Sequence, residues 1–178
     1  VVSSDDGINA GGGNDASSTS GRPGENNFNS SSKCEIVING GYTVVDARGD
    51  GIDANGTITI TGGTTIVNGP ENNGNGSLDY DGSCDISGGI LIAAGSAGMA
   101  QSPSATSSQN SVNVALSSQQ ANTIIHIEDE KGNEVITFAP SKQYQSVIVS
   151  SPELKTGSTY TVSYGGSSTG EAKDGLYT

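Results

Sequence analysis

The chain has 178 residues, of which 27 are glycine and none tryptophan, and carries a net charge of −12. Leu, Ile, Val and Phe fill 34 positions, about 19%, too few for a thick helical core or one packed with aromatics. Seven Lys and Arg against nineteen Asp and Glu exclude binding to nucleic acid through its phosphates, which demands cations.

So few apolar residues would suggest disorder, but their type and order oppose it. Val and Ile number 27 against 5 Leu, and they fall in short, regular runs. With abundant Gly, Ser, Thr and Asn, this material suits a thin, turn-rich, all-β architecture. No apolar run is long enough to span a membrane, so no membrane insertion is expected. Val1 opens inside a repeat without a signal peptide, which suggests a mature or trimmed piece, with further coils upstream in a parent protein.

In chain order, the first motif is Ser4-Asp5-Asp6-Gly7-Ile8-Asn9-Ala10. Residues 11–32 follow as a polar insertion with Asn14-Asp15 near its start, read as a surface loop. Three strand-turn units then align: Ile36-Val37-Ile38-Asn39-Gly40-Gly41, Ile58-Thr59-Ile60-Thr61-Gly62-Gly63 and Cys84-Asp85-Ile86-Ser87-Gly88-Gly89. Gly41 and Gly63 lie 22 residues apart, and Gly63 and Gly89 lie 26 apart. Each unit is followed by a second apolar run. Alternation makes the runs strands, and paired glycines make the corners. A repeat of this length reads as one coil of a parallel β-helix, a solenoid with strands stacked about 4.8 Å apart. Ile36, Ile58 and Cys84 would form one inward column and Ile38, Ile60 and Ile86 another. Cys34 and Cys84 then stand two coils apart, beyond the reach of a disulfide, and are expected to be free thiols.

The acidic motif recurs as Gly49-Asp50-Gly51-Ile52-Asp53-Ala54-Asn55-Gly56 and as Gly74-Asn75-Gly76-Ser77-Leu78-Asp79-Tyr80-Asp81-Gly82. Stacking would set Asp6, Asp50 and Asn75 in one ladder and Asn9, Asp53 and Asp79 in another, with Asp5 and Asp81 beside them. Carboxylates one strand spacing apart repel, and a calcium ion taking six to eight oxygens (about 6–8) would relieve this. The plainer alternative is that Asp, Asn and Gly merely supply turn geometry. Tyr42 and Tyr80 are candidate platforms for stacking sugars, or ordinary packing residues. Arg48, beside the motif, is the candidate base for a lyase, or a surface charge. His126, between Ile125 and Ile127, is expected to face solvent as an ordinary surface residue.

Residues 1–98 therefore read as β-helix coils and 99–110 as a polar linker. Residues 111–178 read as a small antiparallel β-sheet or sandwich capping the open end, with Glu130-Lys131-Gly132-Asn133 as a hairpin turn.

The acidic motifs, together with Asn68-Gly69-Pro70, Gly95-Ser96-Ala97-Gly98-Met99-Ala100-Gln101, Tyr144-Gln145-Ser146 and Ser151-Pro152-Glu153-Leu154-Lys155-Thr156-Gly157, resemble the C-terminal half of the clostridial cellulose- and pectin-binding β-helix family. The resemblance covers essentially the whole chain. It implies a right-handed parallel β-helix, calcium among the Asp-Gly turns and extracellular or cell-surface placement in a bacterium. It also implies non-catalytic binding of acidic plant polysaccharide (pectate, polygalacturonate) and cellulose. Two other functions stay open: a pectate-lyase-like enzyme on the same fold, and a calcium-held structural or adhesin spacer without glycan affinity.

Overall fold

The structure, a computed structural model, describes residues 1–11 and 34–178; apart from Gly11, the expected insertion lies outside the described residues. It is all-β, with no helix among the described residues, so no helix there is long and apolar enough to cross a membrane. Three parallel ladders form its first half. One joins β2 (Ile8–Ala10), β5 (Ile52–Ala54) and β8 (Leu78–Tyr80). A second joins β3 (Glu35–Ile38), β6 (Thr57–Ile60) and β9 (Ser83–Ile86). The third runs through β1 (Val2–Ser3), β4 (Tyr42–Ala47), β7 (Thr64–Asn68) and β10 (Ile90–Gly95). The chain visits the three in rotation, one strand in each per pass.

Register follows the apolar pattern. Ile36, Ile58 and Cys84 stand level, as do Ile38, Ile60 and Ile86, and as do Ile8, Ile52 and Leu78. These columns meet Val45, Val67 and Ala93 from the third ladder in one core enclosed by the three sheets. Cys34 and Cys84 are buried and free, as expected, and burial pushes the Cys84 thiol up to about 12. The corner glycines Gly41, Gly63 and Gly89 have φ of 84°, 83° and 83°. A Cβ on Gly63 would lie 2.5 Å from the Gly41 oxygen, and one on Gly89 2.5 Å from the Gly63 oxygen. Both the left-handed backbone and the stacking of corner on corner therefore require glycine there.

The second half departs from the expected cap. β14 (Tyr144–Ser150) pairs antiparallel with β10, and β11 (Ser111–Gln119) pairs with β14, so two C-terminal strands extend the third ladder into a six-stranded sheet. The remaining strands are β12 (Ile125–Asp129), β13 (Glu134–Phe138), β15 (Tyr160–Tyr164), β16 (Ala172–Lys173) and β17 (Leu176–Tyr177). They form a five-stranded antiparallel sheet in the order β15-β12-β13-β17-β16. Its apolar face packs on the outer face of the six-stranded sheet: Ile125, Ile127, Ile136 and Phe138 cluster with Ile66, Ile92, Ala94, Val147 and Val149. The centre of the six-stranded sheet is thus covered on both sides, which explains why β7 and β10 bury consecutive residues without alternation. The hairpin turn at 130–133 is present. Asp129 Oδ1 accepts the Lys131 and Asn133 amides, both at 2.8 Å.

Closing the end of the stack falls instead to β14 and to residues 101–109, read above as part of a linker. The Gln101 side chain accepts the Tyr80 amide at 2.8 Å, and Ser104 Oγ accepts that of Cys84 at 2.8 Å. Ser107 Oγ accepts the Ile86 amide at 3.0 Å, while the Ser104 and Gln109 amides donate to the Cys84 and Ile86 carbonyls. Side-chain oxygens of this segment thus supply the acceptors that another strand would have offered to the edges of β8 and β9.

Candidate metal centre

The acidic motifs come together at the start of the first ladder. Asn9, Asp53 and Asp79 occupy one level of β2, β5 and β8, the expected second ladder. Asp6 and Asp50 precede β2 and β5. Carboxylate oxygens of Asp6, Asp50 and Asp53 all lie within 4.8 Å of one another. Asn9 Nδ2 sits between two of them, donating to Asp6 Oδ2 at 2.9 Å and to Asp53 Oδ2 at 2.7 Å. Amide hydrogens thus partly neutralise charge that an ion would neutralise fully, and an ion would take Asn9 through its oxygen.

The turns are shaped by close approach. The Asp50 amide donates to Asp6 Oδ1 at 2.8 Å, and the Gly76 amide to Asp50 Oδ1 at 2.6 Å. A Cβ on Gly49 would lie 2.4 Å from Asp6 Oδ1, so any larger residue would displace that carboxylate. Burial pushes Asp53 up to about 7, helped by the charges of Asp6, Asp50, Asp79 and Asp81. Burial also pushes Asp50 up to about 6, against the Gly76 hydrogen bond and with help from Asp79, Asp6 and Asp5. Asp79 is raised too, first by burial and then by Asp81.

Asn75 is a correction. The Gly51 amide donates to the Gly76 carbonyl at 3.0 Å and the Ile52 amide to that of Ser77 at 3.2 Å, which sets Gly76, not Asn75, level with Asp50. The longer third repeat shifts the pairing by one residue, and the Asn75 carbonyl instead accepts from Ser96 Oγ at 2.9 Å. Of the expected ligands, Asp6, Asp50 and Asp53 are gathered together, and Asn9 is hydrogen-bonded to Asp6 and Asp53. Asp79 stands in register with Asp53, and Asp5 and Asp81 act through charge.

The tyrosines are engaged in packing. Lys173 Nζ lies 3.8 Å from the centre of the Tyr42 ring, and the Tyr42 hydroxyl donates to the Lys173 carbonyl at 3.1 Å. The Tyr80 hydroxyl donates to the Ser102 carbonyl at 2.7 Å, with its ring against the core. Arg48 is exposed, and among the described residues no ion pair joins it to these carboxylates. His126 is half-buried and bonded on its sheet, which single-sequence alternation could not reveal.

The raised carboxyls make the stability of the metal-free protein depend on pH between about 5 and 8. Folded Asp50 and Asp53 bind protons more tightly than an unfolded carboxyl near 4, so the stability they contribute is fully present below about 4 and is lost as pH rises through about 6–7. With both groups partly solvated, the expected loss is about 1–2 kcal/mol, or roughly 3–6 °C in Tm. Thermal melts in chelator between pH 5 and 8 check it; a flat or rising Tm contradicts it.

No family model, curated protein or solved structure matches the chain.

Proposed function

We propose that the chain is part of a secreted bacterial protein and folds as a right-handed parallel β-helix held by calcium. On this reading it binds polysaccharide without catalysis. The observation that carries the calcium reading is the meeting of Asp6, Asp50 and Asp53, contributed by two successive passes. Such carboxylates are costly to ionise together, and a hard dication with oxygen ligands removes that cost. The rotation of the chain through three parallel ladders supports the β-helix. The glycan class, acidic plant polysaccharide and cellulose, rests on the motif resemblance. Calcium is also what would let a chain of charge −12 hold polygalacturonate, by bridging carboxylates on both.

Binding to polygalacturonate and cellulose, in calcium and in chelator, with absorbance followed for unsaturated product, tests this. Binding that needs calcium and yields no product supports it. Product would favour the lyase, in which Arg48 is the base. A calcium-raised Tm without binding to either glycan would leave the spacer. That second reading draws on one observation: the clustered ligands belong to adjacent passes, so an ion there knits the stack whether or not a sugar binds.

A further inference from the structure

On the outward face of the five-stranded sheet, His126 stands opposite Thr137, and Glu128 directly opposite Glu134. Thr137 Oγ1 donates its proton to Glu134 Oε2 at 2.6 Å, so its lone pair receives the His126 Nδ1 proton at 2.7 Å. This order of donors assigns the neutral ring's proton to Nδ1 and leaves a lone pair on Nε2. That lone pair lies 3.4 Å from Glu128 Oε2. In that tautomer two electron-pair donors face each other, and either a proton on Nε2 or a metal ion would join them.

We propose that His126 Nε2 and Glu128 form a binding site for a borderline transition-metal dication, of which zinc is the representative, separate from the acidic centre. Bonds of about 2.1 Å to nitrogen and oxygen at a tetrahedral angle span roughly 3.4 Å, the separation present here. The hydrogen-bonded chain from Nδ1 through Thr137 to Glu134 is the support a ligating imidazole needs. It fixes the tautomer and holds the ring plane. The dication would also offset the repulsion between the two facing glutamates, whose carboxylates lie 3.4 Å and 3.7 Å from the His126 ring nitrogens. His126 and Glu128 are each about one-third exposed, with side-chain accessibilities of 31% and 37%, so an ion can enter and keep water on its remaining positions. A cleft of about 410 Å³, lined by His126, Glu134 and Thr137 and by the 165–169 loop, opens beside the ring. The two centres differ in chemistry. The acidic one offers only oxygen, suited to calcium, whereas an imidazole nitrogen favours zinc.

His126 is the chain's only histidine, which makes the test direct. Zinc is titrated into tag-free, metal-stripped protein in millimolar calcium, by calorimetry and by long-range proton–nitrogen NMR of the imidazole. The expected result is one saturable site at which the Nε2 resonance shifts. His126→Ala should abolish this site and Glu128→Gln weaken it. Thr137→Val should weaken it about tenfold with an unchanged circular dichroism spectrum. Thr137 is nearly buried, so if that variant misfolds, Glu134→Gln at the exposed end of the same chain serves instead. An imidazole that titrates with protons but does not shift with zinc, or zinc affinity unchanged in His126→Ala, would overturn the proposal.

Discussion

Adding calcium to the metal-free protein at pH 7.5 should raise its Tm by about 5–10 °C. That is the shift expected when free ion at about 100 times Kd contributes about 2.7 kcal/mol to a domain of this size. Asp53→Asn should do two opposite things. Without metal it should raise Tm at pH 8, because it removes a carboxylate that burial and the neighbouring Asp6, Asp50 and Asp79 make costly to ionise. With calcium it should lose most of the response. The crossing of the two curves is the signature: a residue supplying only turn geometry would move both by the same amount. Melts of both proteins, with and without calcium, check it, and an Asp53→Asn variant that responds to calcium as fully as the parent contradicts it.

The second large effect is expected at Lys142. Its ammonium lies 2.6 Å from Asp46 Oδ1 and 2.5 Å from the Ala47 carbonyl, with the Asn68 and Gly69 carbonyls each at 3.4 Å. Next to it the Ser141 amide donates to Asn68 Oδ1 at 2.8 Å. These contacts pin the crossing between β13 and β14, where the chain passes from the five-stranded sheet to the six-stranded one. Lys142→Met keeps the stem but leaves three carbonyls and a carboxylate without their shared cation. The pair is only partly buried, with side-chain accessibilities of 18% and 36%, so the expected cost is about 2–3 kcal/mol. Denaturant melts measure the cost, and hydrogen exchange should show it concentrated at 140–144. A change below about 0.5 kcal/mol would mean the ammonium is merely solvated there.

The parts of the fold legible in the sequence are those set by short-range periodicity. Ile36, Ile58 and Cys84 could be aligned because alternation and the Gly-Gly corners repeat with little change. The Asn9–Asp53–Asp79 ladder followed from the same spacing. Asn75 did not, because the third repeat is four residues longer and its extra length falls just before the turn, where an Asn-Gly pair mimics an Asp-Gly pair one position out of register.

The second half was less legible because the partners of its strands are distant in the sequence. Nothing local to Tyr144–Ser150 says that it pairs with β10, or that β12 and β13 pack on the outer face of β7 and β10. A trace of it existed in Ile90–Gly95, which is apolar without alternation, the pattern of a strand buried on both faces. The roles of Lys142 and His126 depend wholly on such long-range contacts.

The most direct test of the proposed calcium centre is a calorimetric calcium titration of the chelator-stripped chain at pH 6.5 in two buffers of different ionisation enthalpy. Asp50 and Asp53 are pushed up to about 6 and about 7, so each is partly protonated at that pH. The expected result is saturable binding with release of a fraction of a proton or more, abolished in Asp50→Asn/Asp53→Asn. Absence of saturable heat, or identical binding in the double variant, would contradict it.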